Sequence, residues 1–245
     1  VWNLMAGYMG QISLGQHAFF GLGAYITAIT WKTGLTDYLD PVAMLLSGLG
    51  SAFLAILVGL ALLSKLRGIY FALGTLGLAE ILRIVVIKSD LITNGAAGIS
   101  ISSSVYLSMR HYYYISFSIV LLTLLIVWIM THSRTGLALV SIREDEIAAA
   151  MSGVRVLKFK IITFAIGAFL TGLCGSLNAF YAFHIHTETV FHLNWIIFPV
   201  LMTILGGIGT FFGPVLGAFL IAGIFELVNI LIPDLHPIFS GLFII

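Results

Sequence analysis

Apolar stretches long enough to cross a lipid bilayer follow one another along almost the whole chain, with brief polar breaks between them. They run at about 1–9 and 12–31, then 41–64, 67–87, 112–131, 161–183, 195–212 and 215–232, with a further start from 238. A hydrocarbon core about 30 Å thick needs roughly 20 apolar residues per helix, and lipid offers backbone groups no hydrogen-bond partners. Such runs therefore predict helices that satisfy their own backbones. Composition agrees: 60% of residues are hydrophobic, 9% are charged and the mean hydropathy is +1.12, far from a water-soluble domain. The expectation is an all-α, polytopic transmembrane helix bundle of about seven to eight spans, a single domain over residues 1–245 with no room for a separate soluble domain. The chain opens on Val1 and closes on the apolar stretch Gly241–Ile245, which reads as a piece cut within helices at both ends. The bilayer is the expected surrounding, and nucleic acid is not an expected partner. The single Cys174 cannot form an internal disulfide.

Charge is scarce, so its placement carries information. Eight of the twenty-one Asp, Glu, Lys and Arg residues fall between Arg134 and Lys160. If that loop is cytoplasmic, its side of the membrane holds Lys65, Arg67, Arg134, Arg143, Arg155, Lys158 and Lys160, against Lys32, Lys88 and Arg110 opposite. Seven against three follows the positive-inside rule, and the inverted topology would break it.

A link between two spans can be as short as Lys65-Leu66-Arg67, so the 132–160 loop has another purpose. Its centre predicts a short helix with Glu144, Asp145 and Glu146 in the first turn, where the helix dipole favours carboxylates, and Gly153 placed to end it. Ile147, Ala150 and Met151, spaced i, i+3, i+4, form a small apolar ridge. Such a helix docks on a soluble partner or rests on lipid headgroups; three consecutive acids suit an anionic surface poorly.

Five ordered motifs carry a resemblance over nearly the whole chain: GYMGQISLGQHAFFGLGAY (Gly7–Tyr25), GIYFALGTLGLAEILR (Gly68–Arg83), TNGAAGI (Thr93–Ile99), SRTGLALVSIREDEIAAAMSGV (Ser133–Val154) and LGGIGTFFGPVLGAF (Leu205–Phe219). Together they resemble the M-type permease of branched-chain amino acid ABC importers, a family shared with urea, amide and sugar importers. The resemblance implies an ABC-importer permease fold in a bacterial inner membrane. It further implies two ABC ATPase subunits, a second homologous permease and an extracytoplasmic substrate-binding protein as partners. The 132–160 segment becomes the cytoplasmic coupling loop, with Arg143, Glu144, Asp145, Glu146, Ile147, Ala150, Met151 and Gly153 as its ATPase-coupling residues. Two departures stand out: the family's TGG loop reads Thr93-Asn94-Gly95, and a proline common near the end of the sixth span is absent from His184–Phe191. Independently, no G-x-x-x-x-G-K-[ST] sequence occurs, so ATP hydrolysis is expected from partners; the chain is read as a transporter subunit, not an enzyme, without cofactor.

An amino-acid zwitterion crossing hydrocarbon needs polar contacts, which glycine-broken helices supply at membrane depth. Gln11, Ser13, Gly15 and Gln16 form the best such stretch, either lining the pathway or capping an ordinary helix at the interface. Thr75, between Gly74 and Gly77, is a further pathway candidate. Asn94 and Gly95 are candidates for contact with a binding protein. Glu80 and Arg83 lie three apart and can pair, whereas Glu226 has no local partner. His184, His186, His192 and Glu188 could be drawn as a metal site, but no H-E-x-x-H or paired cysteines sharpen it. Small residues recur at Gly167, Thr171 and Gly175 and at Gly209, Gly213 and Gly217, spacing that lets helices approach closely in lipid. A membrane-embedded enzyme or metal protein is the rival from another class, and a urea or short-amide permease the rival within the family.

Overall fold

The computed structural model describes residues 1–100 and 109–231. The expected span from 238, the Pro233–Pro237 break and part of the 88–111 loop lie outside the described residues. Five helical stretches are long and apolar enough to cross a membrane: Pro41–Lys65 (α2), Gly68–Lys88 (α3), Met109–Thr131 (α5), Val156–Ala182 (α8) and Thr187–Gly206. The last joins a short helix, Thr187–Val190 (α9), to Asn194–Gly206 (α10). Gln16–Lys32 (α1), seventeen residues, and the apolar stretch Gly213–Leu227 of Gly213–Leu231 (α11) add to them. The remaining helices, Asp90–Thr93 (α4), Arg134–Glu144 (α6) and Glu146–Met151 (α7), lie between spans.

Local chemistry sets the boundaries. Asp40 accepts a hydrogen bond from Val42 N–H at 2.8 Å with Pro41 as the first helical residue, so α2 starts on a side-chain cap and a preset φ. Leu66 and Arg67 are extended, and this two-residue link reverses the chain into α3. Gly207 (φ +111°) and Gly209 (φ +77°) adopt backbone angles that end α10, so the apolar run expected over 195–212 stops as a helix at Gly206. Gly209 is consequently a turn residue rather than part of a helical stripe. The expected run at 1–9 is also corrected: Leu4–Tyr8 is a single π-helical turn, and α1 begins at Gln16 rather than 12.

α8 is the axis of the bundle, packed along both α1 and α2. Glycine permits this closeness: a Cβ on Gly23 of α1 would strike the Gly172 carbonyl oxygen, and one on Gly172 would lie 2.7 Å from the Ser47 carbonyl oxygen. Thr27 Oγ1 lies 2.7 Å from both Ser47 Oγ and Ser176 Oγ, a buried hydroxyl cluster joining α1, α2 and α8 where lipid-like surroundings reward internal hydrogen bonds. α10 and α11 form a hairpin whose backbones touch at Gly206, Gly213 and Gly217.

The two ends of the bundle differ. One gathers the α2–α3 link, the end of α5, α6, α7 and the start of α8. The other holds the end of α1, α4, α9 and a minimal antiparallel pair, Ile99–Ser100 (β1) with His184–Ile185 (β2), in which Ile99 faces Ile185. The seven cations counted above sit at the first end, which we call the inner end.

Candidate functional site

The glycine-rich stretch after the π turn is a true break. Gly10 takes φ +71°, residues 10–15 are non-helical, and α1 resumes only at Gln16. The backbone of this stretch is held by distant groups: Trp2 Nε1 donates to the Ser13 carbonyl at 2.9 Å, and Leu14 N–H donates to Thr75 Oγ1 at 3.1 Å. Thr75 lies seven residues into α3, so the break reaches roughly 10 Å into the bundle. Gly15 packs so closely on Thr75 that a Cβ there would overlap its carbonyl oxygen. Of the residues selected from sequence, Gly15 and Thr75 are thus in contact, and Gln11, Ser13 and Gln16 lie on the same broken stretch.

All of these except Gly15 carry polar side chains that are buried, and two remain unsatisfied. Gln11 Oε1 and Ser13 Oγ have no hydrogen-bond partner among the described residues, and neither has Nδ1 of His17, one residue into α1. Buried polar atoms without partners cost free energy, of order 1–3 kcal/mol each, and mark places where another polar group can bind. His17 was not singled out from sequence. A histidine inside an apolar run shows its surroundings only after the chain is folded.

At the inner end, α6 and α7 form an external helix pair. The expected single acidic first turn is replaced by a kink between two helices. Glu144 ends α6, Asp145 is extended, and only Glu146 lies in the first turn of α7. Asp145 has the role of cap, its Oδ1 accepting from Ile147 N–H at 2.8 Å and Ala148 N–H at 3.1 Å. At the other end Gly153 takes φ +86°; its N–H bonds the Ala150 carbonyl while Val154 N–H reaches the Ala149 carbonyl, the paired pattern that closes a helix on a left-handed glycine. Ile147 and Met151 are 64% and 85% exposed, and Ala150 lies exposed between them, whereas Ala149 faces inward.

Glu146 turns away from the exposed ridge. It accepts from Lys160 Nζ at 2.8 Å and lies 3.5 Å from Arg67 Nη2, tying α7 to α8 and to the α2–α3 link. Lys160 is fully buried, and that carboxylate is its counter-ion. Arg143 also points inward. Its Nη1 donates to the Gly7 carbonyl at 2.8 Å while Nε and Nη2 hold Glu144 Oε1. Asn3 continues the path, donating to the Thr210 carbonyl at 2.7 Å and accepting from Gly209 N–H at 2.8 Å. The helix pair, the π turn and the α10–α11 turn are thus joined by side chain to backbone bonds. Composition alone gave no sign of Asn3, Arg67 or Lys160 in these roles.

At the outer end, Asn94 sits at φ +56° and accepts from Lys32 Nζ at 2.8 Å. Asparagine tolerates this left-handed geometry better than most residues with a side chain. Asn94 is exposed and Gly95 buried. Glu80 and Arg83 pair at 2.8 Å on α3, as their spacing predicts. Glu226 is exposed and has no ion pair among the described residues. His184 bonds Ser100 across the strand pair, and no group of three or more His, Cys, Asp or Glu could hold a metal ion among the described residues.

The chain is 28% identical over 249 residues to a protein of Salmonella typhimurium described as high-affinity branched-chain amino acid transport system permease protein LivM, covering 89% of this chain and 57% of that protein. The Escherichia coli protein of the same description is likewise 28% identical, with the same coverage. A probable branched-chain amino acid transport permease protein LivM of Methanocaldococcus jannaschii is 26% identical over 81% of this chain and 62% of its own length. The chain thus spans about three fifths of these relatives, and no solved structure matches it. The family described as branched-chain amino acid transport system, permease component, matches residues 2–245, and the chain belongs to that family of multi-pass membrane transport permeases.

Proposed function

We propose that the chain is the membrane-spanning permease of a binding-protein-dependent ABC importer that carries branched-chain amino acids across a bacterial inner membrane. The observation that supports this best is the external helix α7. It is capped at both ends, shows an apolar ridge of Ile147, Ala150 and Met151 to the exterior, and is anchored to the bundle through Glu146. An exposed ridge on a fixed base suits docking into a groove of a soluble ATPase, since ATP hydrolysis has to come from partner subunits. Motion imposed at α7 reaches α8 through Lys160 and the π turn through Arg143. A second permease completes the pathway, and a binding protein delivers substrate at the outer end, where Asn94 is exposed. The broken segment with Gln11, Ser13 and Thr75 supplies polar groups along the route, and alternating access opens it to either side.

Uptake of radiolabelled leucine, with urea in parallel, by cells expressing the full-length protein with its ATPases and binding protein tests the reading. Leucine uptake that falls at least tenfold on Ile147→Asp or Met151→Asp, with permease levels unchanged, is the expected result. Uptake of urea alone moves the substrate within the family. Undiminished leucine uptake in both ridge variants removes α7 as the docking element. The ridge is the better target than the acids, because Glu146→Lys would place a third cation beside Arg67 and Lys160 and disturb the fold itself.

A further inference from the structure

A cavity of about 300 Å³ opens at the outer end of the bundle between α3, α9 and the start of α10, lined by Arg83, Glu188, Phe191, His192 and Leu193. Its size is at the lower limit of the roughly 300–1,000 Å³ that small-molecule sites occupy, which suits a solute of amino-acid size. Its lining is mixed in a specific way. Arg83 contributes a cation from α3, and Glu188 an anion from α9. Arg83 pairs with Glu80 on its own helix and not with Glu188 across the cavity. That pair uses one Nη1–H, and a guanidinium has five N–H donors, so donors remain for a second carboxylate. Glu188 is exposed and has no ion pair or hydrogen bond through its carboxylate among the described residues. His192 Nδ1 accepts from Asn194 N–H at 3.1 Å, which leaves the neutral ring its proton on Nε2, a donor. Phe191, 5% exposed, and Leu193 provide apolar wall.

Two opposite charges that do not satisfy each other, facing one small space with apolar walls, complement a molecule carrying both charges and a hydrocarbon side chain. We infer that this cavity binds an apolar α-amino acid zwitterion: its carboxylate on Arg83, its ammonium on Glu188 and its side chain along Phe191 and Leu193. The inference rests on the amino-acid importer reading and assigns that substrate a station at the outer end, ahead of the broken segment. Phe191 also ties the cavity wall to α1, the helix that follows the break, for its ring occupies the space a Cβ of Gly21 would need.

The test is binding of radiolabelled leucine to the full-length permease pair with its ATPases in lipid nanodiscs, without binding protein, alongside leucine uptake by cells. Saturable binding is expected, weakened at least ~10-fold by Arg83→Gln and by Glu188→Gln, the scale of one lost charge-assisted bond. Arg83→Lys and Glu188→Asp should retain most of it. Leucinol, which lacks the carboxylate, and 4-methylpentanoate, which lacks the ammonium, should compete at least ~10-fold less well than leucine. If Arg83→Gln fails to assemble, Glu188→Gln carries the test, because the Glu188 carboxylate makes no ion pair or hydrogen bond among the described residues. Leucine uptake by the wild type together with no saturable binding, or with binding indifferent to both variants, overturns the cavity and leaves the importer standing. Neither uptake nor binding of leucine overturns both. Variant-sensitive binding without uptake keeps the site and removes the importer reading.

Discussion

Replacing Glu146 by Gln strips the buried ammonium of Lys160 of its counter-ion. Removing one member of a buried pair costs about 3–5 kcal/mol, because the surviving charge stays desolvated. Here the Lys160 side chain is 1% exposed but that of Glu146 is 21% exposed, so water reaches one side of the pair and the cost falls to about 2–4 kcal/mol. The contact to Arg67 adds little, since that side chain is 63% exposed. At about 2–4 °C per kcal/mol, Glu146→Gln should lower the thermal midpoint of the purified full-length permease by roughly 4–16 °C. Lys160→Met removes the buried charge and should cost less, and the double variant should be more stable than Glu146→Gln alone. Fluorescence-detected size exclusion after stepped heating reads all three, and the double-mutant cycle isolates the pair. A Glu146→Gln midpoint within 1 °C of the wild type, or no recovery in the double variant, would refute the idea that a dependent buried charge fixes α7.

Three further outcomes follow from the backbone. Gly153→Ala should destabilise by about 1 kcal/mol, since Gly153 holds φ +86° with open space around it and the penalty is conformational alone; Gly153→Asn should cost less, both read as thermal midpoints. Gly217→Ala places a methyl on the Met202 carbonyl and should reduce the yield of folded permease sharply, whereas Gly223→Ala, with nothing within 4 Å, should be neutral or mildly stabilising; equal behaviour would dismiss close backbone contact in the α10–α11 hairpin. Thr75→Val leaves Leu14 N–H without its acceptor at a cost of about 1–2 kcal/mol and should slow uptake, while Thr75→Ser should retain both stability and rate.

The long helices were legible because lipid makes one demand of the backbone, and runs such as 41–64 and 67–87 answer it within a residue or two. The glycine signals in Gly10 and Gly15 located the break, and Gly153 located the end of α7. Less legible were features set by distant partners. Asp145 looked like one of three equivalent acids, yet it alone caps α7; Glu144 closes the preceding helix and Glu146 turns inward to a lysine fourteen residues later. Residues 1–9 are apolar enough to suggest a span, but Asn3 is held by the backbone at Gly209 and Thr210, a contact over two hundred residues long that no local pattern encodes. His17 and Lys160 were hidden for the same reason: their meaning depends on what surrounds them.

The geometry of α8 gives the anchoring of Glu146 a mechanical meaning. With twenty-seven residues, α8 is a rod about 40 Å long. Its first turns are gripped by α7 through Lys160, and beyond its midpoint it is clasped by α1 and α2 at Gly172 and the Ser47, Thr27, Ser176 hydroxyls. A rod held at one end and seated past its middle is a lever with a fulcrum. A tilt of only about 5° about Gly172 carries the Val156 end, about 24 Å away, through roughly 2 Å and the Ala182 end, about 15 Å away, through roughly 1 Å in the opposite direction. Push and response would therefore be antiparallel: the two ends of α8 move in opposite directions, with no helix needing to bend.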